Sequence, residues 1–419
     1  MQELSRYAVG LDVGTFKVRC VVAHQDAGAT APVIIGIGEA PNSGMRKGVV
    51  VNLVNTAQAI DKALEEAERV SGHDISSATI SINGSHVLGV SSRGVVAVGS
   101  HGHEINEEDL ARAEEAATVM QLPANREILE VTPRSFRLDD QDNIRDPIGM
   151  TGVRLEVDAH VITALTPNLR NLQKTAEMTH TEVHQTVPAG LAAAQTVLSE
   201  EQKENGALLI DIGHATTNLA VYEEGDLQHV AVITMGGASI TNDLAVGLKV
   251  DLKVAEEVKV KHAVASPSQR AATDKKTVTI KQDKETHEFT AEEVDFIVEA
   301  RLEELFELIN KELTSIGRAA KLPGGVIITG GSAQIKGLAD YTKEALQLAA
   351  KIGIPEGFGG VAEYINQPQY AVVLGLMLFD LEGDANHKND GKPRGGAGLS
   401  VGLGKASSTV RQLLGKFKP

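Results

Sequence analysis

AVGLDVGTFKVRCVV (residues 8–22) and LLIDIGHATTNLAVY (residues 208–222) share one pattern, an apolar strand that ends in Asp-x-Gly and is followed within a few residues by a second β-rich run. Each reads as a tight hairpin with Asp and Gly at the turn. A third glycine signal, VIITGGSAQIKGL (residues 326–338), reads as strand, Gly pair, helix. One Asp-x-Gly is an ordinary turn. Two of them, about 200 residues apart, make chemical sense if each half of a duplicated molecule offers one loop to opposite sides of a polyphosphate. The glycines let backbone N–H groups approach phosphate oxygens, and the aspartates hold a hydrated magnesium ion. Magnesium ATP is the ligand this pattern favours. Neither a G-x-x-x-x-G-K-[ST] loop nor a G-x-G-x-x-G that opens a helix after a strand is found, which sets aside the P-loop and Rossmann alternatives.

The chain has 419 residues, more than one hydrophobic core usually serves, so two or more domains are expected. Its single cysteine, Cys20, sits in an apolar run; this excludes an internal disulfide, fits a reducing cytosol and predicts a buried strand position. The first eight residues hold no apolar stretch of signal-peptide length, and no window approaches the ~20 apolar residues of a membrane span. The expectation is a protein neither exported nor membrane-spanning. A formal charge of -16 argues against nucleic acid and against wholesale lipid binding, so any membrane contact must be local. Residues 384–419 oppose that charge, with seven Lys/Arg against Asp384 and Asp390.

Between the glycine signals lie helical patterns, such as residues 56–71 with Ala59, Ile60, Ala63, Leu64, Ala67 and Val70 on one face. Strands alternating with helices imply α/β layers. Residues 85–162 read as a small α+β unit: strand-like VLGVSSRGVVAVGS, a helix over EEDLARAEEAATVM capped by Asn106, then strand-like ILEVTPRSFRL. Residues 384–404 have a linker composition, which places the end of folded structure near Leu381. His101 and His103 lack a completing ligand set, so no metal site is expected there. The run from Asp274 alternates like a solvent-facing scaffold hairpin.

On these residues the chain resembles the actin/Hsp70 superfamily: Asp12-Val13-Gly14-Thr15 is similar to its first phosphate loop, Asp211-Ile212-Gly213 to its second, and Gly330-Gly331-Ser332 to its adenosine loop. The stretches GMRKGVVVNL, ATISINGSHV, DPIGMTGVRLEVDAHVIT, PAGLAAAQTVL, MGGASITNDLA, AEEVKVKH and YAVVLGL sharpen the resemblance to the FtsA family, over about residues 5–380. The resemblance implies a duplicated actin/Hsp70-like α/β ATPase fold: a first half of residues 1–84 with 163–196, an FtsA-type α+β insert (an SHS2 domain) at 85–162, a second half of 197–245 with 311–381, and a second-half insert at 246–310. A linker at 382–404 and a helix at 405–419 would follow. Carried onto matching positions, it implies that Asp12, Gly14, Thr15 and Lys17 face the phosphates, with Asp211, Gly213 and Thr216 opposite. Asp12 and Asp211 would hold magnesium through water. Glu256 and Lys259 would flank the ribose or base beside Gly237, Gly330, Gly331 and Ser332.

Two departures matter. The family's second loop commonly reads DIGGGTTD, whereas this chain has His214, Ala215 and Asn218, losing loop flexibility and one magnesium-side carboxylate. A water-orienting Glu or Gln is expected at the first connecting helix, but Thr186-Val187-Pro188 stands there, with Gln185 nearby. No catalytic residue is identified and at most slow ATP hydrolysis is expected, because positioning and charge stabilisation supply most of phosphoryl-transfer catalysis.

In the tail, Val410, Leu413, Leu414 and Phe417 recur at i, i+3, i+4 and i+7 beside Arg411, Lys416 and Lys418, with Ser407 or Ser408 as N-cap. This pattern is a short basic amphipathic helix that folds on an anionic membrane surface. The resemblance adds partners: a homopolymer of the chain itself, other division proteins, and an acidic FtsZ C-terminal peptide on the second-half insert, where Arg301 and Lys311 could meet it. The implied role is a peripheral adaptor that tethers FtsZ to the cytoplasmic face of the membrane at the division septum. A PilM-like pilus-assembly ATP-binding protein shares the fold but not the basic tail. A small-molecule kinase of the superfamily would need a substrate-facing carboxylate base that the sequence does not reveal.

Overall fold

The computed structural model describes residues 6–387, except 27, 30, 100, 101, 120, 121, 271–275, 283, 284 and 362–364. His101, most of the linker and the whole tail helix, with Ser407, Ser408, Val410, Arg411, Leu413, Leu414, Lys416, Phe417 and Lys418, lie outside the described residues.

The chain begins with β1 (Arg6–Val13), β2 (Lys17–Gln25), β3 (Val33–Pro41), a small hairpin of β4 (Met45–Arg46) and β5 (Val49–Val50), then α1 (Leu53–Ser71) and β6 (Ser77–Ile82). The inserted unit holds β7 (Leu88–Ala97), α2 (Glu107–Thr118), β8 (Arg126–Leu138), β9 (Gln141–Ile144) and β10 (Arg154–Leu165). The chain returns through α3 (Thr166–Glu177), β11 (Glu182–Pro188), α4 (Ala189–Val197) and α5 (Glu200–Asn205). The second half runs β12 (Ala207–Ile212), β13 (Thr217–Glu223), β14 (Asp226–Ile233), α6 (Gly237–Leu248), α7 (Leu252–His262), β15 (Thr277–Gln282), β16 (Glu285–Thr290), α8 (Ala291–Ser315), β17 (Gly325–Thr329), α9 (Leu338–Leu346) and β18 (Ala350–Ile352). Strand β19 (Gly359–Gly360) and helix α10 (Ala371–His387) follow.

The duplication is explicit in the sheets. The first has the order β11-β6-β1-β2-β3-β19 and the second β14-β13-β12-β17-β18. Each centres on an antiparallel hairpin, β1–β2 or β12–β13, whose first strand pairs in parallel with a later one, β6 or β17. The central strands are apolar without alternation because both faces are covered. Val9, Leu11 and Val13 of β1 share a core with Ala59, Ile60 and Ala63 of α1, while Ala8 joins Val373, Leu374 and Met377 of α10 in another. Cys20 is buried in β2 as expected, and burial pushes its thiol pKa up. On α1 the expected face is buried except for Val70, 44% exposed, because the helix ends one residue later at a left-handed Gly72 cap.

The inserted unit is a four-stranded sheet ordered β7-β10-β8-β9 with α2 against it, and Asn106 caps α2 in a capping box with Asp109, as the sequence predicts. His103 contacts Asp109 at 2.8 Å, and no cluster of three potential metal ligands occurs among the described residues. In the second-half insert the β15–β16 hairpin turns Val278 and Ile280 into the core.

The expected division of the chain needs three adjustments. Bounds at 246 and 310 fall inside α6 and α8. Folded structure continues past Leu381 to His387. The segment from β19 onward, assigned by sequence to the second half, belongs to the first: β19 pairs with β3, and α10 seats on β1 and β6. Apolar nearly all round, α10 is a buried helix, and its buried Asp380 carboxylate is satisfied by the Val9 N–H at 2.9 Å, the Thr79 hydroxyl at 2.8 Å and His184 Nδ1 at 3.0 Å.

On the strand side α10 packs tightly on Gly10, where a Cβ would lie 2.2 Å from the Val373 carbonyl oxygen. Gly10→Val should therefore cost about 3 kcal/mol or more in chemical denaturation, at the upper end of overpacking penalties; an unchanged midpoint would contradict the docking of α10 on β1.

Candidate functional site: the cleft between the two hairpins

A cavity of about 860 Å³ opens between the halves. All thirteen residues expected at a nucleotide line it: Asp12, Gly14, Thr15, Lys17, Asp211, Gly213, Thr216, Gly237, Glu256, Lys259, Gly330, Gly331 and Ser332. The two hairpin turns are built alike. Gly14 N–H donates to the Lys17 carbonyl at 3.1 Å, and Gly213 N–H donates to the Thr216 carbonyl at 2.9 Å. Asp12 stands across its hairpin from Arg19, and Asp211 across its own from Asn218.

The second loop is supported from three sides. The Gly213 carbonyl accepts from Gly237 N–H at the start of α6 (3.0 Å) and from the Ser332 hydroxyl (3.2 Å). Lys259 on α7 donates to the Gly237 carbonyl (3.2 Å), the Thr241 hydroxyl (2.9 Å) and the Glu256 carboxylate (2.7 Å). Burial pushes the Glu256 carboxyl pKa up, but its bonds from Lys259 and Thr241 outweigh this and hold it below the ordinary value. Gly330 has φ 87°, and a Cβ there would lie 2.4 Å from Asp211 Oδ1; only glycine lets this turn close against the aspartate.

The two aspartates dominate the electrostatics. Burial raises the Asp12 pKa above its ordinary value, against lowering by Arg19 and by a 2.8 Å bond from the Ser81 hydroxyl. Asp211 is pushed up to about 6, chiefly by burial and in part by the charge of Asp12, although Asn218 donates to it at 2.8 Å. Two buried carboxylates lining one cavity, the charge of Asp12 disfavouring that of Asp211, are a donor set suited to a divalent cation. Asn218 is a neutral donor where a third carboxylate would have deepened the conflict.

Several contributors were not singled out in the sequence. Ser81 and Asn83 belong to the strand-end ISING; Asn83 donates across the cleft to the Thr216 hydroxyl at 3.0 Å, directly linking the two halves. Arg19 and Lys17 both bond Glu39 at 2.7 Å, so Lys17, expected at the phosphates, lines the cavity while ion-paired. The signal for Ser81 and Asn83 was a polar pair interrupting an apolar strand before Gly84. Gln185 lies in a bulged register of β11 against β6 and does not line the cavity; Ala189, at the start of α4, does. Alanine cannot orient a water.

Arg301 requires a correction. It is held by Asp243, with one contact at 2.9 Å, and by Glu304 at 2.5 Å, so it is committed within the chain rather than offered to a partner. Lys311 is exposed on α8.

Two-fold repetition of a hairpin-led sheet around one cleft, with a glycine turn lining it from each half, is the architecture of the actin/Hsp70 class. Among solved structures, the PilM–PilN type IV pilus biogenesis complex matches with a TM-score of 0.64 at 18% identity, covering 91% of this chain and 99% of that one. MreB5 of Spiroplasma citri bound to ADP matches with a TM-score of 0.57 at 15% identity, covering 92% and 99%. These likenesses concern the fold.

Sequence comparison makes the assignment specific. The family described as cell division protein FtsA matches residues 208–375, and the SHS2 domain inserted in FtsA matches residues 84–163. Cell division protein FtsA of Pseudomonas aeruginosa is 33% identical over 409 residues, covering 98% of this chain and 96% of that protein. The Borreliella burgdorferi protein of the same name is 37% identical, covering 89% and 91%, and that of Bacillus subtilis is 35% identical, covering 88% and 82%. The chain belongs to the FtsA family and is an actin-like cell-division protein.

A carboxyl whose folded pKa exceeds its unfolded value costs stability once both states are ionised. For Asp211 that cost is absent below the ordinary value of 3.8 and complete above about 6. Asp211→Asn should therefore be more stable than the parent at pH 7.5 without magnesium, by about 2–3 kcal/mol, with the gain vanishing below pH 4. Denaturation at the two pH values checks this, and an equal or lower stability at pH 7.5 would contradict the buried-charge account.

Proposed function

We propose that this chain binds magnesium ATP in the cleft and polymerises, and that it tethers FtsZ and later division proteins to the cytoplasmic face of the membrane at the division septum. The observation that carries the reading is the convergence of all thirteen expected residues, from two hairpins and a Gly-Gly turn distant in sequence, on one cavity. Asp12 and Asp211 suit a magnesium ion held through water, which would neutralise phosphate charge. The backbone of the two hairpin turns at Thr15–Phe16 and His214–Ala215 would meet the phosphates, the N–H groups of Gly14 and Gly213 being used to close the turns themselves. Glu256 and Lys259, fixed to each other, would flank the ribose or base. The absence of a water-orienting side chain at Ala189 favours binding over turnover, with at most slow hydrolysis.

Membrane attachment rests on the basic amphipathic tail. Each apolar residue buried in lipid contributes up to about 1.5–3 kcal/mol, and each basic residue near an anionic surface about 1 kcal/mol. Ordering the segment offsets much of that sum, so one tail binds reversibly and a filament of many binds by avidity. Among the described residues no helix is long and apolar enough to cross a membrane, which agrees with a peripheral protein. Lys311 remains the candidate for an acidic FtsZ peptide on the second half. The 33–37% identity to division proteins, against 18% to the PilM complex, favours the division reading over the pilus one.

Co-sedimentation with anionic liposomes, with and without magnesium ATP, should give ATP-favoured filaments in the lipid pellet. A chain ending at His387 should fall in the pellet by at least about tenfold, since avidity is lost with the tails. An ATP-binding monomer indifferent to lipid would contradict the adaptor reading.

A further inference from the structure

Phe16 is 49% exposed at the tip of the first hairpin turn, an unusual place for a large apolar ring with no structural need. Its ring stacks on that of His214, at the tip of the second, with centroids 4.8 Å apart and planes at 24°. Both rings line the cavity, one from each half.

Each ring stands on a turn that its own half holds rigidly. The Phe16 carbonyl accepts from Asn42 N–H at 2.8 Å, the Gly14 carbonyl from the Asn42 side-chain amide at 2.9 Å, and the Thr15 hydroxyl from Gly48 N–H at 3.0 Å. On the other side the His214 carbonyl accepts from Ala238 N–H at 2.6 Å. These bonds fix the two turns from which the rings reach each other, so the stacked arrangement is lost when the halves separate. Burial and the charge of Lys259 hold the imidazole pKa below its ordinary value despite Glu256, so the ring stacks as the neutral form. The Asn83–Thr216 hydrogen bond is the polar counterpart of the stack across the same gap.

We propose that the Phe16–His214 stack is a cross-cleft gate that sets the rate at which nucleotide enters and leaves. It rests on the nucleotide reading of the cleft and deepens it. The His214-Ala215 pair, which departs from a glycine pair, trades loop flexibility for a side chain that reaches the opposite loop. A gate of this kind slows association and dissociation together and changes equilibrium affinity less. A group that contacts the nucleotide directly changes affinity mainly through dissociation.

The test uses the full chain and a fluorescent N-methylanthraniloyl ATP, with association and chase followed by stopped flow for the parent, His214→Gly, Phe16→Leu and the double variant. Each single change should raise both rate constants about 2- to 10-fold, the scale of one aromatic pair, and the double variant should exceed the larger single by little. Unchanged rates, additive effects, or a rise in dissociation alone would overturn the gate. A second measurement needs no nucleotide. Spin labels at Lys62→Cys on α1 and Lys343→Cys on α9, with Cys20 buried and unlabelled, should report a longer or broader distance in His214→Gly than in the parent. An identical distribution would overturn the gate. Failure of the parent to bind the analogue, with the distance change present, would sink the nucleotide reading and leave a structural latch in place.

Discussion

The structure turns on two buried carboxylates, Asp12 and Asp211, brought to the floor of one cleft from opposite halves of a duplicated fold. Each is desolvated by burial, the charge of Asp12 raises the pKa of Asp211 further, and Arg19 offsets this only in part at either. A fold that holds them there bears an electrostatic cost at neutral pH, and a site that costs stability without its ligand is a sign of function rather than scaffold. The neighbouring groups moderate the conflict without removing it: Ser81 and Asn218 donate single hydrogen bonds, while Arg19 is drawn aside by Glu39.

Everything that positions the pair serves close backbone approach. The two hairpins end in the same glycine turn, α6 begins against the second, and the Gly330 turn closes over Asp211. Behind the first hairpin, α10 crosses back from the end of the described chain to seal β1, its Asp380 bonded to backbone and side chains of the strands it covers. The strands therefore carry a continuous apolar run, and the polar groups gather at their C-terminal ends, facing the cleft. Among the described residues the halves meet there through the Asn83–Thr216 bond, the Phe16–His214 stack, the Gly330 N–H to the Pro368 carbonyl and the Gln334–Gln369 side-chain bond.

Much of this was legible in the sequence because glycine turns after apolar strands are local signals. The Asp-x-Gly turns and the family resemblance they carry placed thirteen residues that line the cavity, and the α+β insert and its Asn106 cap were equally local. What escaped was long-range. Nothing in YAVVLGL says which half it will cover; contacts distant in sequence decide it, Gly10 against Val373 and Asp380 against Val9 and Thr79. Arg301 was read as a cation that could meet an acidic peptide because Asp243, 58 residues away, is invisible to helical periodicity. Asn83 and Ser81 acquire meaning only when the parallel pairing of β6 with β1 sets them beside the phosphate loops.

The central claim is that burial keeps Asp211 partly protonated near pH 6 in the free protein and that a cation with a polyphosphate drives it to the ionised form. Calorimetric titration of magnesium ATP near pH 6, in two buffers of different ionisation enthalpy, tests it most directly. The account predicts that the observed heat depends on the buffer in the sense of net proton release, because the cation favours the ionised form of Asp12 and Asp211. Binding that is independent of the buffer, or accompanied by proton uptake that persists in Asp211→Asn, would contradict it.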